Sequence, residues 1–335
     1  MKWLLGRLQN SKAPSKSDRS RLISNSIFQA TGLIVCLFGA GVFLSGDAAK
    51  LKLASLAPVS ARKTPAQIDS IAHGISVKVL DRDFLGSGFI VKQFENRYIA
   101  ITNQHVLRAG EAPYKIETSD GKVYEAKISA DVEVEDLQYD LAILEFEADA
   151  VYPTATIGNS FYLEVGEPVF AAGFPHGQLD TGEATSTSLD QSKDDSVKLA
   201  LKQGRVVIIL DRALEEGYQI GYTNDVRKGM SGGPLLNARG EVVGVNGKHA
   251  YPLWESPEIY QDGQEPCPAL QDLITRSSLA IPIEKSLESP QLKSLKLSES
   301  KVTRPSNLSS EDSQLISKMQ LEAQQTISSC QNIEH

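Results

Sequence analysis

Three short strings in this 335-residue chain carry side chains able to cooperate in nucleophilic chemistry. They are Ile101-Thr102-Asn103-Gln104-His105-Val106, Tyr139-Asp140-Leu141-Ala142-Ile143-Leu144 and Gly229-Met230-Ser231-Gly232-Gly233-Pro234. A serine hydroxyl is a weak nucleophile at neutral pH until a positioned base takes its proton. Imidazole suits that task because it titrates near working pH. A buried carboxylate holds the ring in the useful tautomer and stabilises the imidazolium as it forms. Glycines around the serine let the backbone turn sharply and aim two N–H groups into one hole, where losing a donor costs a developing oxyanion about 3–4 kcal/mol.

Each string also has a plainer reading. His105 alone is an ordinary core-edge histidine, Asp140 a strand-entry turn residue, and Gly229–Gly233 a tight turn. A plain turn, however, requires neither the central serine nor the proline that closes the string. His73, His176, His249 and His335 lack comparable context and form no metal-ligand spacing with one another or with cysteine, so neither a metal nor a cofactor is expected.

The elements that must position these residues read as strands. From about Ile68 to Glu284 short apolar runs alternate with glycine-containing turns. The first set is Ile75–Leu80, Ser87–Lys92, Tyr98–Thr102, Tyr114–Thr118, Val123–Ile128 and Leu141–Phe146. The second is Pro168–Ala172, Val197–Leu201, Arg205–Leu210, Tyr218–Tyr222, Gly233–Leu236, Glu241–Val245 and Leu279–Ile283. Many strands of four to seven residues indicate an all-β barrel or sandwich, and the lack of regular helical stretches between them argues against a parallel α/β sheet. Two sets of about six fit two small barrels, 67–152 and 153–285.

Outside those barrels the composition changes. Residues 1–26 hold Lys2, Arg7, Lys12, Lys16, Arg19 and Arg21 against Asp18 alone. That stretch is therefore +5, and with the whole chain at −8 the remainder carries −13. An acidic body without a basic stripe argues against nucleic acid as a partner. Residues 27–45 run without a charge and would span roughly 28 Å as a helix, close to the thickness of a bilayer's hydrocarbon core. With the basic flank before it, this run is expected to be a transmembrane signal anchor or a signal peptide, leaving the body outside the cytoplasm in either case. An anchor tethers the protein to the membrane, and cleavage would release it as a secreted form. Residues 46–66 read as a linker. Residues 286–335 are serine-rich and expected to be largely disordered, with a short amphipathic helix through Leu315, Met319, Ala323 and Ile327. Of the three cysteines, Cys36 falls in the apolar run, and a Cys267–Cys330 bridge stays open as an alternative to free thiols.

Taken together, the three strings resemble the active-site motifs of the trypsin-like (chymotrypsin-fold) serine peptidases. The resemblance is nearest to bacterial members, including those that supply the protease domain of HtrA-type enzymes. It spans roughly residues 70–284 and follows the family order His, Asp, Ser, with successive members 35 and 91 positions apart. It implies two six-stranded antiparallel β-barrels of the chymotrypsin type. It also implies a serine endopeptidase acting on polypeptides, with His105, Asp140 and Ser231 catalytic and the amides of Gly229 and Ser231 as the oxyanion hole. No room for a PDZ module is expected after the second barrel.

The chain departs from the trypsin pattern at Met230, where zymogens of that kind carry an aspartate that pairs with a newly freed N-terminus. Activity without N-terminal processing is therefore expected. Asp225 stands six residues before Ser231, the offset of the pocket-floor carboxylate in trypsin-like enzymes, and would select Arg or Lys at P1 if its loop followed the same path. A water-facing turn aspartate is the alternative. The strand Val243–Gly247 is expected to run along an extended substrate and offer it backbone groups, with Val245, Asn246 and Gly247 as binding residues. Aromatics Tyr251, Trp254 and Tyr260 belong to a loop expected to cap the barrel, with contact to substrate as the alternative. A peptide-binding protein without turnover and a membrane-anchored adaptor are the competing functional classes.

Overall fold

The computed structural model of the chain describes residues 62–129, 139–176, 197–251, 257–288, 292–293, 297 and 310–331. The expected membrane-spanning run 27–45, most of the linker and Trp254 lie outside the described residues. Among the described residues no helix is long and apolar enough to cross a membrane.

Twelve strands close into two six-stranded antiparallel barrels of the chymotrypsin type. The first is built from β1 (Ser76–Leu80), β2 (Phe84–Phe94), β3 (Arg97–Thr102), β4 (Tyr114–Glu117), β5 (Val123–Ile128) and β6 (Ala142–Glu147), in the order β1-β2-β3-β6-β5-β4. The second comprises β7 (Pro168–Gly173), β8 (Ala200–Ile209), β9 (Ile220–Tyr222), β10 (Pro234–Asn237), β11 (Val242–Lys248) and β12 (Ser278–Pro282), in the order β10-β11-β12-β9-β8-β7.

Side chains alternate across each strand, and both faces are used. On β2, Ile90 fills the first barrel with Val79, Tyr98 and Leu144, whereas Phe89 and Val91 point outward into a second core. That core takes Phe170, Ala172, Val242 and Val245 from the second barrel, whose own interior holds Val169, Val206, Val243 and Ala280. Burying a large apolar side chain is worth about 1.5–3 kcal/mol, so this shared layer is what fixes one barrel against the other.

Three expectations change. Val197–Leu201 and Arg205–Leu210 form one long strand, β8, because Gly204 is there for packing, not turning: a Cβ on it would strike the Asn224 side chain. Linker residues 65–66 open a helix, α1 (Pro65–Ile75), started by a Thr64/Gln67 capping box and a proline in its first turn. Its apolar face, Ile68, Ala72 and Ile75, is buried.

The C-terminal tail contains a 22-residue helix (Ser310–Gln331). The Cys267–Cys330 disulfide ties it to another short helix (Pro268–Thr275). Its inward face runs Asp312, Ile316, Met319, Ala323, Thr326 and Cys330, while Leu315 and Ile327 are 41% and 42% exposed. The expected four-residue repeat overshoots a helical turn by about 40° per step and so drifts off any one face.

Candidate active site

The register of the first barrel explains how two of the three strings meet. β3 and β6 are antiparallel neighbours with Thr102 opposite Ala142, so the chain just after β3 and the chain just before β6 emerge at one end. There a short helix, α2 (Gln104–Arg108), carries His105. The Asn103 side chain donates to the backbone carbonyl of Asp140 at 2.6 Å, lacing the two segments together. The Asp140 carboxylate is buried. Its Oδ1 accepts the backbone N–H of His105 at 2.8 Å, and its Oδ2 lies 2.5 Å from His105 Nδ1. The imidazole itself remains 40% exposed, open to a ligand. Burial acts to raise the Asp140 pKa, but the hydrogen bonds and charge of His105, with the Tyr218 hydroxyl, outweigh it and leave this carboxyl below its ordinary value.

Tyr218 is the partner that pattern reading missed. Wholly buried, it donates its hydroxyl to Asp140 Oδ2 at 2.6 Å. Burial first, then the charge of Asp140, pushes its own pKa well up, so it stays a donor. Gly247 makes room for it, since a Cβ there would strike the phenol oxygen. In sequence Tyr218 is one apolar-run residue among several, and nothing local marks it.

Ser231 arrives from the second barrel on the turn that leads into β10. Gly232 follows it at φ +85°, where a side chain would strike the Ser87 carbonyl and the Thr102 hydroxyl. That close approach seats the serine loop against the end of β3, three residues ahead of His105. The Ser231 hydroxyl donates to the Gly247 carbonyl at 2.9 Å.

The peptide groups of this loop are held one by one. His176 N–H donates to the Lys228 carbonyl at 2.8 Å, and Gly233 N–H to the Met230 carbonyl at 3.1 Å. Ser87 Oγ donates to the Gly229 carbonyl at 2.7 Å, and Ser87 N–H to the Ser231 carbonyl at 2.9 Å. Met230 N–H is taken by Arg227 and Gly232 N–H by Asn246. Among the described residues the N–H groups of Gly229 and Ser231 have no hydrogen-bond partner. Two uncommitted amides one residue apart beside a hydroxyl are suited to receive an oxyanion.

The other sequence candidates fall elsewhere. Asp225 is 59% exposed, 2.9 Å from Arg227 Nε and 3.6 Å from Lys202 Nζ, so its carboxylate already has two cations and faces water. Val245 and Asn246 are fully buried. The Asn246 amide donates to the carbonyls of Ala172 and Pro234, and its Oδ1 takes the Tyr222 hydroxyl. Both side chains hold the barrel together, the Asn246 carbonyl accepts the Gly232 N–H, and the Gly247 carbonyl accepts the Ser231 hydroxyl. In the neighbouring loop Tyr260 is buried under Arg212 at 4.0 Å, in keeping with capping, whereas Tyr251 is 66% exposed. No group of His, Cys, Asp and Glu among the described residues could hold a metal ion.

Residues 86–245 match the model of the trypsin-like peptidase domain. The chain is 31% identical over 214 residues to the serine protease Do-like HtrA of Bacillus subtilis, covering 61% of this chain and 44% of that protein. With the putative serine protease HhoA of Synechocystis it shares 32% over 162 residues, 48% of this chain and 36% of the relative. With a probable periplasmic serine endoprotease, DegP-like, of Halomonas elongata it shares 32% over 169 residues, 50% and 30%. The chain thus spans less than half the length of these relatives. A solved HtrA-type protease, AlgW with decapeptide, superposes with a TM-score of 0.47 at 19% identity, covering 71% of this chain and 69% of that one.

Proposed function

We propose that the trypsin-like peptidase domain in this chain is a working serine endopeptidase that cleaves polypeptides through an acyl-enzyme. The observation that carries this reading is a half-exposed imidazole, 2.5 Å from a buried carboxylate, on the segment that follows β3, against whose end a serine loop with two uncommitted amides is packed. Ser231 Oγ attacks the scissile carbonyl while His105 Nε2 takes its proton. Asp140, ionised and fixed by His105 N–H and Tyr218, keeps the ring's Nδ1–H turned inward and balances the imidazolium. The amides of Gly229 and Ser231 receive the oxyanion, and His105 returns its proton to the leaving amine. Water then repeats the sequence to release the acyl group.

The domain works outside the cytoplasm in this reading. The basic residues 1–26 and the uncharged run 27–45 support an anchored or exported protein, and the Halomonas relative is a probable periplasmic endoprotease. Protein processing or quality control on that side of the membrane is the role this suggests.

A second reading, a peptide binder without turnover, draws on one observation: Ser231 Oγ donates to Gly247 and not to His105. Hydrolysis of an unfolded protein substrate separates the two. Wild type should release peptides and Ser231→Ala should release none. Equal release by both, or tight peptide binding with no release by wild type, would remove the peptidase reading.

A further inference from the structure

Ser87 lies in the first barrel, on β2, yet its bonds reach into the second. It is wholly buried between Gly86 and Gly88. Its hydroxyl donates to the Gly229 carbonyl at 2.7 Å and accepts the Phe174 N–H at 2.8 Å. Its own N–H donates to the Ser231 carbonyl at 2.9 Å. Its carbonyl accepts the Thr102 hydroxyl at 2.6 Å, on the segment that leads to His105. One residue thus touches the nucleophile loop twice, the loop after β7 once, and the end of β3 once.

Such a junction has a consequence for the oxyanion site. An amide N–H and its carbonyl point in opposite directions across a planar peptide. Gly229, at φ +93°, has the backbone freedom to let its peptides rotate. With the Gly229 carbonyl held by Ser87 and the Lys228 carbonyl held by His176 N–H, neither flanking peptide can turn, and the Gly229 N–H stays beside that of Ser231. Met230, fully buried, brings no charge that could perform this task by an ion pair.

We propose that Ser87 is a positioning residue that keeps the oxyanion site assembled without any processing of the N-terminus. This rests on the peptidase reading above. The hydroxyl does not touch substrate: it acts through the Gly229–Met230 peptide, which lies between the two oxyanion amides. Removing it leaves a buried carbonyl and a buried N–H unpaired, and their cheapest relief is rotation of the loop.

The test compares full-length wild type, Ser87→Ala and Ser87→Cys on one fluorogenic peptide, together with inhibition by the matching peptide aldehyde, which forms a tetrahedral oxyanion. Because the site acts on the transition state and not on bound substrate, Ser87→Ala should lower kcat about 10- to 100-fold with KM within about twofold. The aldehyde should weaken by the same factor. Ser87→Cys, a weaker donor in the same place, should fall between, and it decides by the same criteria if the alanine variant does not fold. A kcat within threefold of wild type, or a lower kcat with unchanged aldehyde affinity, would overturn the role of Ser87. Wild type without turnover would instead sink the peptidase reading.

Discussion

Ser231 and Asp225 share one loop and stand in opposite surroundings. Around Ser231 the carbonyls of residues 228–231 are each held by a donor, with Ser87 buried behind them. Asp225 faces water between Arg227 and Lys202, held only by ion pairs of the kind salt screens. The contrast separates two sorts of functional claim. A role in bond-making needs a geometry that the fold defends with buried, satisfied polar contacts. A role in selecting substrate, inferred from an offset along the chain, has no such defence here.

Substitutions can break that contrast. Ser231→Ala should remove roughly 10⁶-fold of kcat, since the nucleophile and its base act as a unit; turnover measured over hours with an active-site-free control checks it. Asp140→Asn should cost roughly 10⁴-fold at neutral pH by favouring the wrong imidazole tautomer. The same variant bears on stability. Because the folded pKa of Asp140 is lowered, its contribution is fully present above the unfolded carboxylate's value of about 3.9 and is lost as pH falls through the folded one. Acid denaturation followed by circular dichroism should therefore be steeper in wild type than in Asp140→Asn.

Tyr218→Phe keeps the ring and deletes one donor to Asp140. A carboxylate with one hydrogen bond fewer holds the imidazole less firmly, so kcat/KM should drop about 3- to 10-fold. An unchanged kcat/KM would mean that Tyr218 serves packing alone. The smallest effect belongs to Asp225→Ala, expected to change kcat/KM by less than about threefold for peptides with Arg, Val or Glu at P1. A selective loss of Arg cleavage would restore Asp225 to the substrate pocket and erase the contrast.

The barrels were legible because their strands announce themselves by alternation and by turns, and the His105, Asp140 and Ser231 strings because their chemistry is local in sequence. What escaped was of another kind. Gly204 looked like a turn, but its lack of a side chain serves a contact with Asn224, a residue far along the chain. The tail helix was placed correctly and its buried face was not, because a strict repeat of four is not the period of a helix. Its disulfide depends on where two distant segments meet, which spacing does not reveal. Ser87 and Tyr218 matter only through partners 142 and 78 residues away. On β11 the side chains of Val245 and Asn246 are committed to the barrel, and at Gly247 the backbone meets the serine hydroxyl.

The central claim is that His105, Asp140 and Ser231 form one hydrolytic centre, and a fluorophosphonate probe followed by peptide mapping tests it most directly. The account predicts one covalent adduct per chain, on Ser231, formed rapidly by wild type, absent from Ser231→Ala and strongly slowed in His105→Ala. An adduct on another residue, or labelling of Ser231 at the same rate without His105, would contradict it.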